Sequence, residues 1–232
     1  MSGHGSSILI VDDEATLRQI LRARLTARGY AVHEAGTGED VLRIVPVLRP
    51  DVILLDIGLP GIDGIEVARR LRPLVQTPII MLSVHAMEAE KIAALDAGAD
   101  DYLTKPYDLG DLLDRIGTVL RRVLLQDAEV FTAGDLVVDL SRQIVQVANN
   151  PVRLTSMEYD LLKVLVFNAG RLLTQRRLTQ EVWGGRNEDS ALPLLRTTMT
   201  TLRQKLDPDR SHPGHIAMEP GVGYRLRIAA SI

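Results

Sequence analysis

The sequence predicts an α/β fold in two parts, a five-stranded, doubly wound parallel sheet followed by a small α+β domain. Three observations carry this. Residues 8–122 alternate short apolar runs with amphipathic stretches, five times over. Beyond residue 130 the pattern turns to apolar–polar alternation with turn signals, and then to three helical stretches. The charge changes as well, from a net −4 over residues 1–122 to +1 over the remainder of the 232.

The elements follow in order. Residues 1–7 read as a flexible lead-in. Ile8-Leu9-Ile10-Val11 is an apolar strand, and Glu14–Arg28 a helix with Leu17, Ile20, Leu21 and Leu25 at helical spacing, closed by Gly29. Strands over 31–35, 52–55, 78–82 and 101–104 alternate with helices over 38–47, 64–71, 86–96 and 109–125. Strands this apolar fit a parallel sheet covered on both faces and joined by right-handed crossovers. Residues 123–130 are a linker. Residues 131–232 form the second domain: a small antiparallel sheet to residue 153, with a turn at Asn149-Asn150-Pro151, helices near 155–169, 174–183 and 192–206, and a hairpin from Ile216 to Ile228.

The chain has no cysteine, which excludes disulfides, thiolate metal sites and a cysteine nucleophile. No apolar run approaches the roughly 18–20 residues that span a bilayer, and the first seven residues lack the parts of a secretory signal. The expectation is a cytoplasmic protein with no membrane insertion.

In a parallel α/β sheet, reactive groups gather outside the carboxyl ends of the strands. Here those ends carry Asp12-Asp13, Asp56, Ser83 and Thr104-Lys105-Pro106. Three carboxylates, a hydroxyl and an ammonium therefore converge. Bare carboxylates at one place repel, and a hard divalent cation bound by oxygens, Mg²⁺ with a phosphate above all, relieves that. A carboxylate beside Mg²⁺ can take a phosphoryl group as an acyl phosphate. Lys105 would pair with the phosphoryl oxygens, Ser83 would donate to one, and the Gly58 carbonyl, two residues past Asp56, would complete the metal shell. Each residue also has a plain reading. Taken alone, Asp13 and Ser83 read as caps of the next helix, and Lys105 as a solvated lysine. These plain readings fail together, because all the features fall on one sheet edge. A haloacid-dehalogenase-type phosphatase needs a second acid where Gly58 stands, and a flavodoxin's phosphate loop would be repelled by Asp12-Asp13-Glu14.

Val11-Asp12-Asp13-Glu14, the run Leu54–Gly64 around Asp56, and Gly98–Pro106 resemble the receiver domains of two-component response regulators, which are flavodoxin-like. That resemblance implies that a sensor histidine kinase phosphorylates Asp56, that Asp12, Asp13, Asp56 and Gly58 hold Mg²⁺, and that Lys105-Pro106 is cis. It also implies a switch pair, Ser83 and Tyr102, in which the hydroxyl moves toward the phosphoryl group and the ring turns inward. The face of the fourth helix, fifth strand and fifth helix carries Lys91, Asp96, Asp100, Asp101, Asp111, Arg115 and Arg122. It resembles the dimer face of the subfamily named after the osmoregulation and phosphate regulators. Lys91 with Asp111, and Asp100 and Asp101 with Arg115 and Arg122, would pair across a two-fold axis in a phosphorylated homodimer.

The second domain resembles the winged helix-turn-helix of that subfamily, through Leu154–Leu162, Leu173–Leu178, Val182-Trp183-Gly184, Thr198–Leu206 and Gly221–Leu226. The third helix there would enter the major groove with Arg196, Thr197, Thr200, Thr201, Arg203 and Lys205, arginine meeting guanine edges and threonine methyls meeting thymine methyls. Thr155, Thr174, Arg176 and Arg177 would meet phosphates at helix N-termini, and Arg225 would reach from the wing. Pro193 falls near the start of that helix, which a first turn tolerates. The implied partners are double-stranded promoter DNA, in tandem sites, and RNA polymerase. Leu55–Pro60, Lys91–Leu103 and Leu195–Leu206 resemble more closely the potassium-transport branch, which would make the phosphodonor a membrane sensor kinase of that branch. The rival reading is a DNA-binding regulator with a vestigial receiver that ignores phosphorylation.

Overall fold

The computed structural model describes residues 5–85, 87–125, 130–184, 188–207 and 214–228. The chain divides into two compact units at Leu120–Arg121.

The first unit alternates β1 (Ser7–Val11), α1 (Ala15–Thr26), β2 (Ala31–Ala35), α2 (Gly38–Leu48), β3 (Val52–Asp56), α3 (Gly64–Leu71), β4 (Ile79–Ser83), α4 (Glu88–Asp96), β5 (Asp101–Thr104) and α5 (Leu109–Leu125). All five strands are parallel, in the order β2-β1-β3-β4-β5. Successive residues of a strand face opposite sides, so both sides must be apolar in a doubly covered sheet. On one side Ile8, Ile10, Val52, Leu54, Ile80 and Leu82 pack against Leu21 and Leu25 of α1 and Leu112, Ile116 and Val119 of α5. The alternating residues Leu9, Ile53, Leu55 and Met81 are equally buried, as are Val41, Val45, Val67 and Leu71 of α2 and α3.

Local chemistry sets the helix starts that matter to the site. Thr37 caps α2 by accepting from the Asp40 amide, and Asp63 caps α3 by accepting from the Glu66 amide. Gly64 opens α3 against the back of β3, where a Cβ would lie 2.2 Å from the Asp56 carbonyl oxygen. Only glycine fits there. The helix expected from Ala86 begins at Glu88, and Ala86 itself lies outside the described residues. Of the linker expected over 123–130, residues 123–125 belong to α5 and Val130 to the next strand, and 126–129 lie outside the described residues. The Lys105–Pro106 bond is cis, as expected.

The second unit holds β6 (Val130–Ala133), β7 (Leu136–Asp139), β8 (Ile144–Val147) and β9 (Asn150–Pro151), an antiparallel sheet in sequence order. Ala148 and Asn149, both at positive φ, make the β8–β9 turn. Then come α6 (Ser156–Phe167), β10 (Leu173–Thr174), α7 (Gln175–Trp183), α8 (Glu188–Leu206), β11 (Ile216–Glu219) and β12 (Gly223–Leu226). The hairpin of β11 and β12 was expected. Its third strand, β10, was not: two residues carry no period. It pairs Leu173 with Tyr224 and Thr174 with Gly223, and a Cβ on Gly223 would meet the Leu173 carbonyl oxygen at 1.8 Å. α8 starts four residues before the expected 192, so Pro193 lies inside the helix rather than in its first turn. Leu161, Leu165, Leu178, Leu195, Met199 and Leu202 join the three helices in one core. Among the described residues no helix is long and apolar enough to cross a membrane.

Candidate functional site

Strand register assembles the pocket. Val11 lies beside Leu55, Asp56 beside Leu82, and Ser83 beside Thr104. Asp12, Asp56, Ser83 and Lys105 therefore emerge abreast at one edge of the sheet. Lys105 Nζ donates to Asp12 Oδ2 at 2.8 Å and to Asp56 Oδ1 at 2.5 Å. Asp12 is held further by the Glu14 amide, 2.9 Å from Oδ1, and Asp56 Oδ2 accepts from the Gly58 amide at 3.0 Å. The plain capping readings do not apply. Glu14 precedes α1 without a side-chain cap bond, and Met87 does the same for α4.

Asp56 is only 7 % exposed. Burial raises its pKa above the usual carboxylate value; Lys105 and the Gly58 amide pull the other way, and the Asp12 charge pushes it up further. Burial would lower the Lys105 ammonium, but hydrogen bonds to Asp12 and Asp56 hold it above the ordinary lysine value. The Tyr107 hydroxyl is buried and has no hydrogen-bond partner among the described residues; burial raises its pKa.

The donor set around Asp56 is made of hard oxygens and suits Mg²⁺ in chemistry. Among the described residues, however, no three acidic side chains are gathered at one point as metal ligands. Asp12 and Asp56 are drawn to Lys105, and Asp13 is exposed.

The two side chains of the expected switch pair, Ser83 and Tyr102, lie within hydrogen-bonding reach of each other. Tyr102 is already buried, at 3 % exposure, and its hydroxyl donates to the His85 carbonyl at 2.6 Å. Ser83 Oγ donates to Glu90 Oε1 at 2.8 Å, and it accepts from the His85 amide at 3.0 Å. Glu90 was not singled out from the sequence, because an acid in the first turn of a helix is ordinary there.

Two residues leave the expected dimer face. Asp100 is fully buried, bound by Arg72 Nη2 at 2.8 Å and by the Ile79 amide at 2.9 Å. Asp101 is also fully buried, and both its oxygens accept from Arg115 of the same chain, at 2.7 and 2.8 Å. In the single chain both carboxylates are thus taken up by arginines of their own chain. Asp96 and Asp111 are exposed, Lys91 stands 5.8 Å from the centre of the Tyr102 ring, and the Arg122 side chain lies outside the described residues.

α8 buries Ala191, Leu195, Met199, Leu202 and Leu206 and exposes Arg196, Thr197, Thr200 and Gln204 on the other side. Gln204 was missed, although it lies one turn beyond Thr200. Thr201 and Lys205 leave the outward set. Lys205 Nζ donates to the buried Glu158 Oε2 at 2.6 Å, and Thr201 also hydrogen-bonds Glu158. Thr174 is a 2 % exposed cap that accepts from the Arg177 amide, so it is not a surface for phosphate. Thr155 is an exposed cap, reciprocated by Glu158 in a capping box. Arg176 is exposed, Arg177 pairs with Glu181 at 2.8 Å, and Arg225 donates to the Gly170 carbonyl at 3.2 Å.

A parallel-sheet unit with an acidic pocket, followed by three helices and a terminal hairpin, defines a receiver joined to a DNA-binding domain. Comparison with known proteins agrees. Residues 8–117 match the family described as response regulator receiver domain, and 149–226 that described as transcriptional regulatory protein, C terminal. The chain belongs to the two-component response regulators of the OmpR/PhoB type, which are DNA-binding transcription factors. It is 43 % identical to the KDP operon transcriptional regulatory protein KdpE of Escherichia coli K12, over 96 % of this chain and all of that protein. It is 39 % identical to KdpE of Mycobacterium tuberculosis H37Rv, over 94 % of this chain and 98 % of that one. Among solved structures it is similar to DrrB, an OmpR/PhoB homologue from Thermotoga maritima, with a TM-score of 0.50 and 27 % identity, covering 96 % of this chain and 99 % of that one.

Proposed function

We propose that the chain is a cytoplasmic transcription factor switched by phosphoryl transfer from a sensor histidine kinase to Asp56, and that it controls a Kdp-type potassium-uptake operon. The observation that carries the switch is Asp56 itself. It is a buried carboxylate at a strand end, only partly offset by Lys105 and crowded by Asp12. An Asp56 oxygen attacks the phosphorus of the kinase phosphohistidine, the P–N bond breaks, the imidazole leaves, and an acyl phosphate remains. Lys105, already between Asp12 and Asp56, pairs with the phosphoryl oxygens. Asp12, Asp13, Asp56 and the Gly58 carbonyl would hold Mg²⁺, which would supply positive charge beside the phosphoryl oxygens.

Phosphorylation favours a homodimer through the α4–β5–α5 face, using Lys91, Asp96, Asp111 and Arg115, with Asp101 holding Arg115 in place. The dimer binds tandem promoter sites about one helical turn apart and there engages RNA polymerase. Arg196 and Arg203, which have no ion-pair partner among the described residues, read base edges, and Gln204 extends that stripe. The Thr197 and Thr200 hydroxyls donate back to the Pro193 and Arg196 carbonyls, at 3.0 and 2.8 Å. That leaves their methyls for thymine methyls in the groove. Thr155, Arg176, Arg177 and Arg225 meet phosphates.

The potassium reading rests on the KdpE relatives. Its test is capture of fragmented host DNA by the full chain, with and without Mg²⁺ and beryllofluoride. Enrichment of a potassium-uptake promoter, stronger with beryllofluoride, is the expected result. Enrichment of a different promoter overturns the target, and equal enrichment in both conditions favours a vestigial receiver.

A further inference from the structure

We propose that Glu90 is a latch on the Ser83 hydroxyl, a positioning residue that sets how readily the pocket accepts a phosphoryl group. This rests on the phosphoacceptor reading of Asp56. A serine hydroxyl has one proton to donate, and Ser83 donates it to Glu90 Oε1 at 2.8 Å. Ser83 is 2 % exposed, so bulk water does not compete for that proton. The bond is of the charge-assisted kind, stronger than one between neutral groups. A phosphoryl oxygen on Asp56 asks for the same proton. Ser83 therefore serves the phosphoryl group only by releasing Glu90.

The surroundings hold the latch in place. Glu90 lies in the first turn of α4, where the helix end favours an acid, and its side chain is 15 % exposed. Its second oxygen, Oε2, stands 3.4 Å from His85 Nδ1. The His85 amide donates to Ser83 Oγ, and the His85 carbonyl accepts from the buried Tyr102 hydroxyl. One short segment after β4 thus ties the pocket hydroxyl, the α4 acid and the β5 tyrosine together. Release of Glu90 frees the start of α4 in the same event that gives Ser83 to the phosphoryl group. That is a two-state exchange of one proton between two anionic acceptors, and Glu90 weights it toward the resting side.

The test is beryllofluoride binding with Mg²⁺, measured by titration calorimetry on the full chain, for the wild type, Glu90→Ala, Ser83→Ala and the double variant. The latch predicts that Glu90→Ala tightens binding roughly fivefold or more, and that the same change has no effect in the Ser83→Ala background. Glu90→Gln keeps an acceptor oxygen without the charge and falls between. A readout free of beryllofluoride is the Tyr102 ring signal in tyrosine-labelled protein. Glu90→Ala should move it toward its position in the saturated wild type. Equal tightening in both backgrounds would mean that Glu90 acts through its charge alone, and no tightening would mean that it does not restrain Ser83; either overturns the latch. If the wild type takes up no beryllofluoride and matches Asp56→Asn, the phosphoacceptor reading itself falls.

Discussion

Each unit contains a lysine–carboxylate pair of nearly the same length, Asp56–Lys105 at 2.5 Å and Glu158–Lys205 at 2.6 Å. Both carboxylates are almost fully buried. Yet the Asp56 carboxyl is raised and the Glu158 carboxyl lowered from their usual values. Burial pushes both up. At Glu158 that push is outweighed by hydrogen bonds from Lys205, the Thr155 amide and Thr201. At Asp56 it is not, and the Asp12 charge adds to it. The lesson is that an ion pair alone does not mark a functional site. A carboxylate whose hydrogen bonds outweigh its burial is a structural clasp, whereas one whose burial and neighbouring negative charge outweigh its bonds is a candidate for chemistry.

The Arg72–Asp100 pair, its carboxylate fully buried and its arginine partly so, extends the structural side of the comparison. Arg72 also donates to the Gly98 and Thr77 carbonyls, so it fastens the ends of β4 and β5. Arg72→Ala leaves the Asp100 charge buried with its main partner gone and should cost the receiver about 3–5 kcal/mol in urea unfolding. A loss near zero would break the assignment of Asp100 to the interior.

The direct contrast comes from neutralising each carboxylate. The folded pKa of Asp56 lies above its unfolded value, so the fold favours the protonated form. Its contribution to stability is present at low pH and lost as pH rises through the folded pKa. Asp56→Asn should therefore hold or raise receiver stability at neutral pH. Glu158 has the opposite sign. Its contribution is present above the unfolded value of about 4.3 and lost as pH falls through the folded one. Glu158→Gln should cost the second unit about 1 kcal/mol at neutral pH and remove the added acid sensitivity that the wild type shows below about pH 4. Denaturant midpoints measured across pH check both signs.

Tyr107 sharpens the pocket side. Its buried hydroxyl lacks a partner among the described residues, so Tyr107→Phe should stabilise the receiver by about 1 kcal/mol in thermal or urea unfolding. The smallest effect belongs to the groove. Thr200→Ser removes a methyl and should weaken binding to a selected duplex site roughly fourfold, while Thr200→Val, which keeps the methyl shape, should not. Fluorescence anisotropy decides this, and a loss with valine but not serine would show that the hydroxyl is read instead.

The sheet, its strand order of reactive ends and the helices were legible in the sequence, because period and turn residues are local signals. So was the convergence of Asp12, Asp56, Ser83 and Lys105, since parallel strands align their carboxyl ends. What was not legible is which charges each element turns inward. Asp100 and Asp101 are adjacent, yet one meets Arg72 and the other Arg115. Lys205 finds Glu158 across 47 residues of chain, so a basic position on α8 became part of the core's edge. The β10 strand escaped notice because two residues carry no periodicity.

The central claim is that Asp56 takes a phosphoryl group. Intact mass of the full chain after treatment with acetyl phosphate and Mg²⁺ tests it most directly. The account predicts a gain of one phosphoryl group in the wild type and none in Asp56→Asn. No gain in the wild type, or the same gain in both, would contradict it.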